Sequence, residues 1–341
     1  MSRSERAYWL AWSRIPRIGP VLLQRLQTHF GTLERAWAAL PLELAAIEGV
    51  GTIVLQAIDH YRSRLIPLEL LEQHEATNPC FWTPADPDYP RLLLEIPSFP
   101  VVLYYKGEFQ AWENQGIAPT ISIVGTRAPT DYGKRWTRRI THALTESGFT
   151  IVSGLADGID TEAHTACLER GGRTIAVVGT GVDVVYPARN RSLYHRIVDS
   201  GLVLSEYPQG TPPDRAHFPQ RNRIIAALSR ATLILEAPSK SGALITAHLA
   251  NEFNRDVYSL PGSLENPQSR GCLELIAQGA QMILGEEELL TALGAIPSLD
   301  RFASPLASAS IGSASKGSAS RTTPIPTDLD PDRKSTRLNS S

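Results

Sequence analysis

Cysteine is scarce: Cys80, Cys167 and Cys272 are the only three in 341 residues, far apart and in no Cys-x-x-Cys spacing. Such a pattern supports neither a disulfide framework nor a structural zinc site. No apolar run reaches 18 residues, and the N-terminus carries charge and tryptophan where a signal peptide has its apolar core. No membrane span is expected, and a cytoplasmic location is. A dominant charge sign is missing as well. Lys and Arg number 33 against 35 Asp and Glu, a formal net charge of −2, which excludes a histone-like binder. Any polyanion must be met by a local patch. Recognisable catalytic spacings are absent too. His164, His195, His217 and His248 stand singly, with no His-Glu-x-x-His pair, no Walker loop, no Gly-x-Gly-x-x-Gly fingerprint and no serine nucleophile elbow. Neither an enzymatic activity, a metal nor a cofactor is expected. What is present is ordinary globular composition, 42% hydrophobic and 20% charged, in a chain long enough for a sizeable core.

Composition divides the chain into parts. Residues 1–65 read as short helices, with Trp9, Trp12, Leu22, Leu23, Leu26 and Phe30 recurring at three- and four-residue intervals. Residues 66–118 form a proline-rich connector holding one apolar run, Val101 to Tyr105. From 119 to 293, short apolar strands alternate with amphipathic helices. The strands are expected at 121–124, 150–152, 174–178, 202–204, 232–235 and 257–260, and helices at 132–147, 160–170, 189–199, 221–229 and 243–254. Strand–helix alternation of this kind makes a doubly wound, Rossmann-like parallel α/β sheet covered on both faces. Residues 294–331 are a Ser/Ala-rich low-complexity linker, and 332–341 resemble translated adapter sequence.

Four expected strand ends are marked by glycine: Gly125-Thr126-Arg127, Ser153-Gly154 through Gly158, Gly179-Thr180-Gly181, and Ser241-Gly242 after Lys240. Glycine lets backbone approach an anion, and a following arginine adds a bidentate phosphate fork. A glycine between strand and helix also serves simply to turn the chain. Two further basic clusters open helices: Arg189-Asn190-Arg191, and Arg221-Asn222-Arg223 with both guanidinium groups aimed at the strand ends. Each alternatively belongs to a capped surface helix. Together they are expected to form one anion-binding rim, with Tyr194 a candidate stacking surface for a base. Asp157, Asp160 and Asp183 are expected to cap helices, ahead of any general-base role.

The runs Ile121 to Arg127, Val152 to His164, Gly171 to Asp183, His217 to Ala226, Ser241 to Ala247, Leu260 to Ser263 and Pro267 to Cys272 resemble, in collinear order, the DprA/Smf family of DNA-processing proteins. The resemblance implies an extended Rossmann core that binds single-stranded DNA, pairs as a homodimer and helps load RecA recombinase during natural transformation. It places subunit contacts at Leu273, Ile276 and Met282. It also implies a helical domain in front, consistent with the hairpin Ile47-Glu48-Gly49-Val50-Gly51-Thr52 and a degenerate copy at Ile15-Pro16-Arg17-Ile18-Gly19-Pro20. That domain serves either packing or phosphate contact. The chain departs from the family pattern in two places: Thr126 stands where serine is usual, and Ala188 where a DNA-patch lysine is usual. Many members also end in a winged helix. The alternative function is a nucleotide sensor or a phosphoribohydrolase-like enzyme of the same superfamily. Such enzymes carry a Pro-Gly-Gly loop that Pro261-Gly262-Ser263 does not match.

Overall fold

The computed structural model describes residues 3–294; the expected linker and tail lie outside them, apart from Gly294. Six helices come first: α1 (Arg3–Ser13), α2 (Pro20–Phe30), α3 (Leu33–Ala38), α4 (Pro41–Ala45), α5 (Thr52–Arg62) and α6 (Pro67–Thr77). Proline opens α2, α4 and α6, where its missing N–H is no loss. Trp9, Trp12, Leu23 and Leu26 are buried, and Trp12 Nε1 donates to Leu33 O at 3.1 Å. Helix continues past residue 65, because α6 packs along α1 and Arg6 pairs with Glu75 at 3.2 Å. In the two hairpins, Gly49 has φ +95° and Arg17 takes the matching left-handed backbone at +69°. The first hairpin thus keeps its shape without its glycine, at some cost in strain.

The remaining elements are β1 (Phe81–Trp82), β2 (Leu103–Gly107), α7 (Ala111–Asn114), β3 (Thr120–Val124), α8 (Asp131–Glu146), β4 (Thr150–Ser153), α9 (Ile159–Glu169), β5 (Thr174–Val177), α10 (Arg191–Ser200), β6 (Leu202–Ser205), α11 (His217–Ala227), β7 (Ala231–Ile234), α12 (Gly242–Glu252), β8 (Asp256–Ser259), α13 (Arg270–Ala277), β9 (Gln281–Met282) and α14 (Glu286–Gly294). They build one α/β sheet in the order β1-β2-β6-β5-β4-β3-β7-β8-β9. The seven strands from β6 to β9 in that order pair in parallel. Strands β3 to β7 are buried along their whole length, so they read as continuous apolar runs.

The expected sheet had six parallel strands, with a further strand expected at 281–284, and the structure extends it at both edges. That further strand joins one edge as the short β9. On the other edge β2 and β1 add antiparallel, with Tyr104 opposite Ser205, so the connector's apolar run is a sheet strand. Helices cover both faces. On one, Ile121, Ile123 and Ile151 pack with Ile140, Leu144 and Ala163 of α8 and α9. On the other, Val124, Val152 and Val177 meet Ile224 of α11 and Ala243 of α12, in a core continuous with Trp9 and Trp12 of α1. Ser122 fixes α11 on β3 by donating to Ile225 O at 2.7 Å.

The chain order sets where a ligand fits. From β3 the chain winds outward through β4, β5 and β6, then returns to the far side of β3 as β7 and winds out through β8 and β9. Between β3 and β7 the winding reverses. In an open parallel sheet, that reversal splays the loops at the carboxyl ends of the two strands and leaves a crevice.

Candidate nucleic-acid interface

A cleft of about 640 Å³ opens at that crevice. Its walls are the loop after β3 (Gly125, Thr126, Arg127), the β7–α12 turn (Pro238 to Gly242) and the first turns of α11 (Phe218, Asn222). Gly125 is there by necessity. A Cβ on it would lie 2.5 Å from Ile159 Cγ1 and 2.8 Å from Glu236 O. The loop's polar groups are spent internally: Thr126 N donates to Glu236 O at 2.6 Å, Ile159 N donates to Thr126 O at 3.1 Å, and Ala128 N donates to Thr126 Oγ1 at 3.3 Å. The loop therefore does not offer Thr126 to an anion. It holds Arg127 out of the wall, exposed, with its guanidinium 5.7 Å from the Phe218 ring centre.

Beneath the cleft lie two buried opposite charges, Arg221 and Asp160, on either side of Gly154. Arg221, 5% exposed, donates from Nη1 to Gly154 O at 2.7 Å and to Val177 O, binding the ends of β4 and β5 to α11. Asp160 accepts the N–H of Gly154 at 3.1 Å and of Ala156 at 3.4 Å. A Cβ on Gly154 would sit 2.8 Å from both Arg221 Nη2 and Asp160 Oδ2, so only glycine fits between the two charges. Burial lowers the Arg221 pKa to about 10, with Asp160 opposing that and Arg127 adding to it; the group stays cationic at neutral pH. Burial likewise raises the Asp160 carboxyl, against the pull of Arg221 and the two backbone amides.

Several expected rim residues are thus buried or paired within the protein. Arg221, Ser153 and Asn190 are buried. Ser153 Oγ donates to Ile123 O at 2.6 Å, and Asn190 Nδ2 donates to Leu155 O at 3.0 Å and Thr161 Oγ1 at 2.9 Å. These side chains shape the loops from within. Helix α11 begins at His217, which puts Arg221, Asn222 and Arg223 beyond its first turn. Arg223 Nη2 lies 2.5 and 2.6 Å from the two Glu206 oxygens, and Asn222 Nδ2 donates to Gly242 O at 3.3 Å. Tyr194 is no stacking surface: it is buried, with its hydroxyl donating to Val182 O. Nor do the three aspartates cap their own helices. Asp183 accepts from Gly210 N at 2.9 Å, Asp160 from the loop before α9, and Asp157 faces Arg189.

The groups left at the cleft are few. Among the described residues, no carboxylate lies within ion-pair distance of Arg127, Arg191, Arg215 or Lys240, and all four are exposed. Arg127 and Arg215 line the cleft, Lys240 adjoins its Ser241, and Arg191 opens α10 outside it. The N-terminus of α12 faces the cleft through Ser241 and Gly242, a position favourable to an anion. Tyr186, 41% exposed, packs against Phe218 with ring centres 5.4 Å apart and 32° between planes. The sequence reading missed Tyr186, Arg215 and Phe218. Two of them were in view as flanks of the basic clusters, but nothing in their spacing shows that α11 and the β5–α10 loop meet. The result is a wall carrying cationic groups without carboxylate partners beside an aromatic shelf.

Comparison with known proteins agrees with this geometry. Residues 80–294 match the family of DNA recombination-mediator protein A. The chain is 59% identical over 301 residues to Protein Smf of Synechocystis sp., covering 88% of this chain and 76% of that one. It is 45% identical over 205 residues to DNA processing protein DprA of Streptococcus pneumoniae, covering 60% and 71%. The solved structure of DNA processing protein A from Streptococcus pneumoniae superposes with a TM-score of 0.71 at 35% identity, over 85% of this chain and 98% of that one. DNA processing protein A from Helicobacter pylori, whose structure concerns its single-stranded DNA binding mode, superposes with a TM-score of 0.56 at 31% identity, over 62% and 95%. With a fold, a strand-end cleft and relatives that agree over most of its length, this chain belongs to the DNA recombination-mediator protein A family.

Proposed function

We propose that the cleft between β3 and β7 binds single-stranded DNA without regard to base sequence. The observation that carries this is the pairing of unneutralised arginines with a partly exposed aromatic shelf at the topological switch point. Arg127, Arg215 and the α12 N-terminus reach phosphates, while Tyr186 and Phe218 offer π-faces that any base can use. With Ala188 in the usual lysine place, Arg191 and Lys240 supply outlying charge along the strand. The protein acts as a binding module, not an enzyme, in the cytoplasm. It works as a homodimer through Leu273, Ile276 and Met282, and it passes the strand to RecA recombinase. The recombination-mediator family supports that last step.

Titration of labelled oligonucleotides tests the binding. Oligo-dT and mixed-sequence strands are expected to bind within a few-fold of each other, with AMP competing poorly. Arg127→Ala should weaken binding at least tenfold, since a lost charge-assisted phosphate pair costs about 1.5–3 kcal/mol. It should also flatten the salt dependence by about one unit of slope. Unchanged affinity in the folded variant sinks the proposal, and tight AMP binding with weak strand binding favours the nucleotide sensor.

A further inference from the structure

The cleft edge contains a group that opposes its proposed task. Asp157, in the loop between β4 and α9, lines a small crevice with Arg127, Tyr186, Pro187 and Phe218. Its Oδ1 lies 2.9 Å from Arg189 Nε; the carboxylate is mostly buried, whereas the Arg189 side chain is 74% exposed. That oxygen receives no hydrogen bond, so the contact is a charge attraction without an aligned N–H donor. The carboxylate therefore sits mostly out of water in the loop, while the arginine beside it stands in water and is free to swing away.

Resting on the strand-binding function proposed above, we propose that Asp157 is an affinity-setting residue: an anion built into the chain that occupies Arg189 and that a DNA phosphate must displace. Two effects follow from the geometry. An incoming phosphate beside Arg127 and Phe218 meets the negative charge of Asp157 across the crevice. It also finds Arg189 already neutralised, so that contact releases less counterion than a free arginine would. The exposed half of the pair makes displacement inexpensive, because ion pairs open to water contribute little stability. A strand making several phosphate contacts at once still binds, but reversibly.

The test is strand affinity measured against salt for the full chain and four variants. Asp157→Asn keeps the shape and removes the charge; it should tighten oligo-dT binding about three- to tenfold and steepen the salt slope by up to one unit. Asp157→Ser repeats the test with a different side chain in case the first variant is destabilised. Adding Arg189→Ala to Asp157→Asn should abolish most of the gain. Equal or weaker binding by both Asp157 variants, with unaltered thermal unfolding, overturns the proposal, as does a gain left undiminished by loss of Arg189. Arg127→Ala separates this from the function it rests on. If Arg127→Ala binds like the parent, the cleft is not the strand site. If it weakens binding and the Asp157 variants do not tighten it, only the role of Asp157 fails.

Discussion

Arg221 and Arg127 sit near one another, and burial separates what they do. Arg221 is spent on two carbonyl oxygens under the cleft, while Arg127 has no carboxylate partner among the described residues. Burial decides the chemistry of His164 in the same way. Thr174 Oγ1 donates to Ile151 O at 2.8 Å, so it accepts the Nδ1–H of His164 at 2.7 Å, which leaves Nε2 buried and bare. Burial, with the Arg221 charge adding, holds the His164 pKa at about 3, against 6.5 when free. Below pH 6.5 the unfolded chain takes up a proton that the folded chain refuses. Stability should then fall by about 1.4 kcal/mol per pH unit on this account, down to about pH 3, with no contribution above pH 6.5. His74, lowered to about 4 mainly by burial, adds to the same acid limb. Urea unfolding at pH 7 and pH 5 checks it. His164→Gln should lose about 2 kcal/mol less than the parent between those pH values, and an equal loss would contradict the assignment.

At the level of loops and elements, a glycine beneath the cleft and one in its wall make opposite predictions. Gly154 is wedged between Arg221 and Asp160, whereas a Cβ on Gly242, at the start of α12, meets nothing within 4 Å. Gly154→Ala should cost about 2–4 kcal/mol, because its Cβ would push apart two buried, hydrogen-bonded charged side chains. Gly242→Ala should change stability by less than about 0.5 kcal/mol. Denaturant midpoints decide, and similar values for the two would refute the packing described for Gly154. The same contrast explains what the sequence made legible. Strands β3 to β8 were readable because both faces are covered and their apolar runs are unbroken. Strand β2 was not, since its apolar run gives no sign of the antiparallel partner β6. The loops with Arg127 and Gly154 were readable from glycine and arginine spacing as turns at the strand ends. Yet spacing gives no burial, and so Arg221, Asn190 and Ser153 were expected at the surface when they hold the loops from inside. Helix α11 starts at His217 and not at the expected 221, and Pro219 falls within its first turn, where proline is tolerated.

For the whole molecule, the sheet ends at β9, whose two residues are exposed: Met282 is 48% and Leu284, just beyond it, 69% accessible. Leu273 and Ile276 on the neighbouring α13 are half-buried. An isologous pairing through this edge would repeat each contact, so one substitution is felt twice. Met282→Arg should give folded monomer by light scattering, with weaker strand binding as two clefts no longer act on one strand. A parent that is monomeric at tens of micromolar, or a variant that stays dimeric, would place the interface elsewhere. The central claim, that a strand lies in the cleft with its bases on the aromatic shelf, is tested most directly by photo-crosslinking. An oligonucleotide carrying halogenated uracil is irradiated with the full chain, and the modified peptides are identified by mass spectrometry. Crosslinks at Tyr186 and Phe218, lost with Arg127→Ala, are the predicted result; crosslinks confined to helices α1 to α6, or indifferent to Arg127, would contradict it.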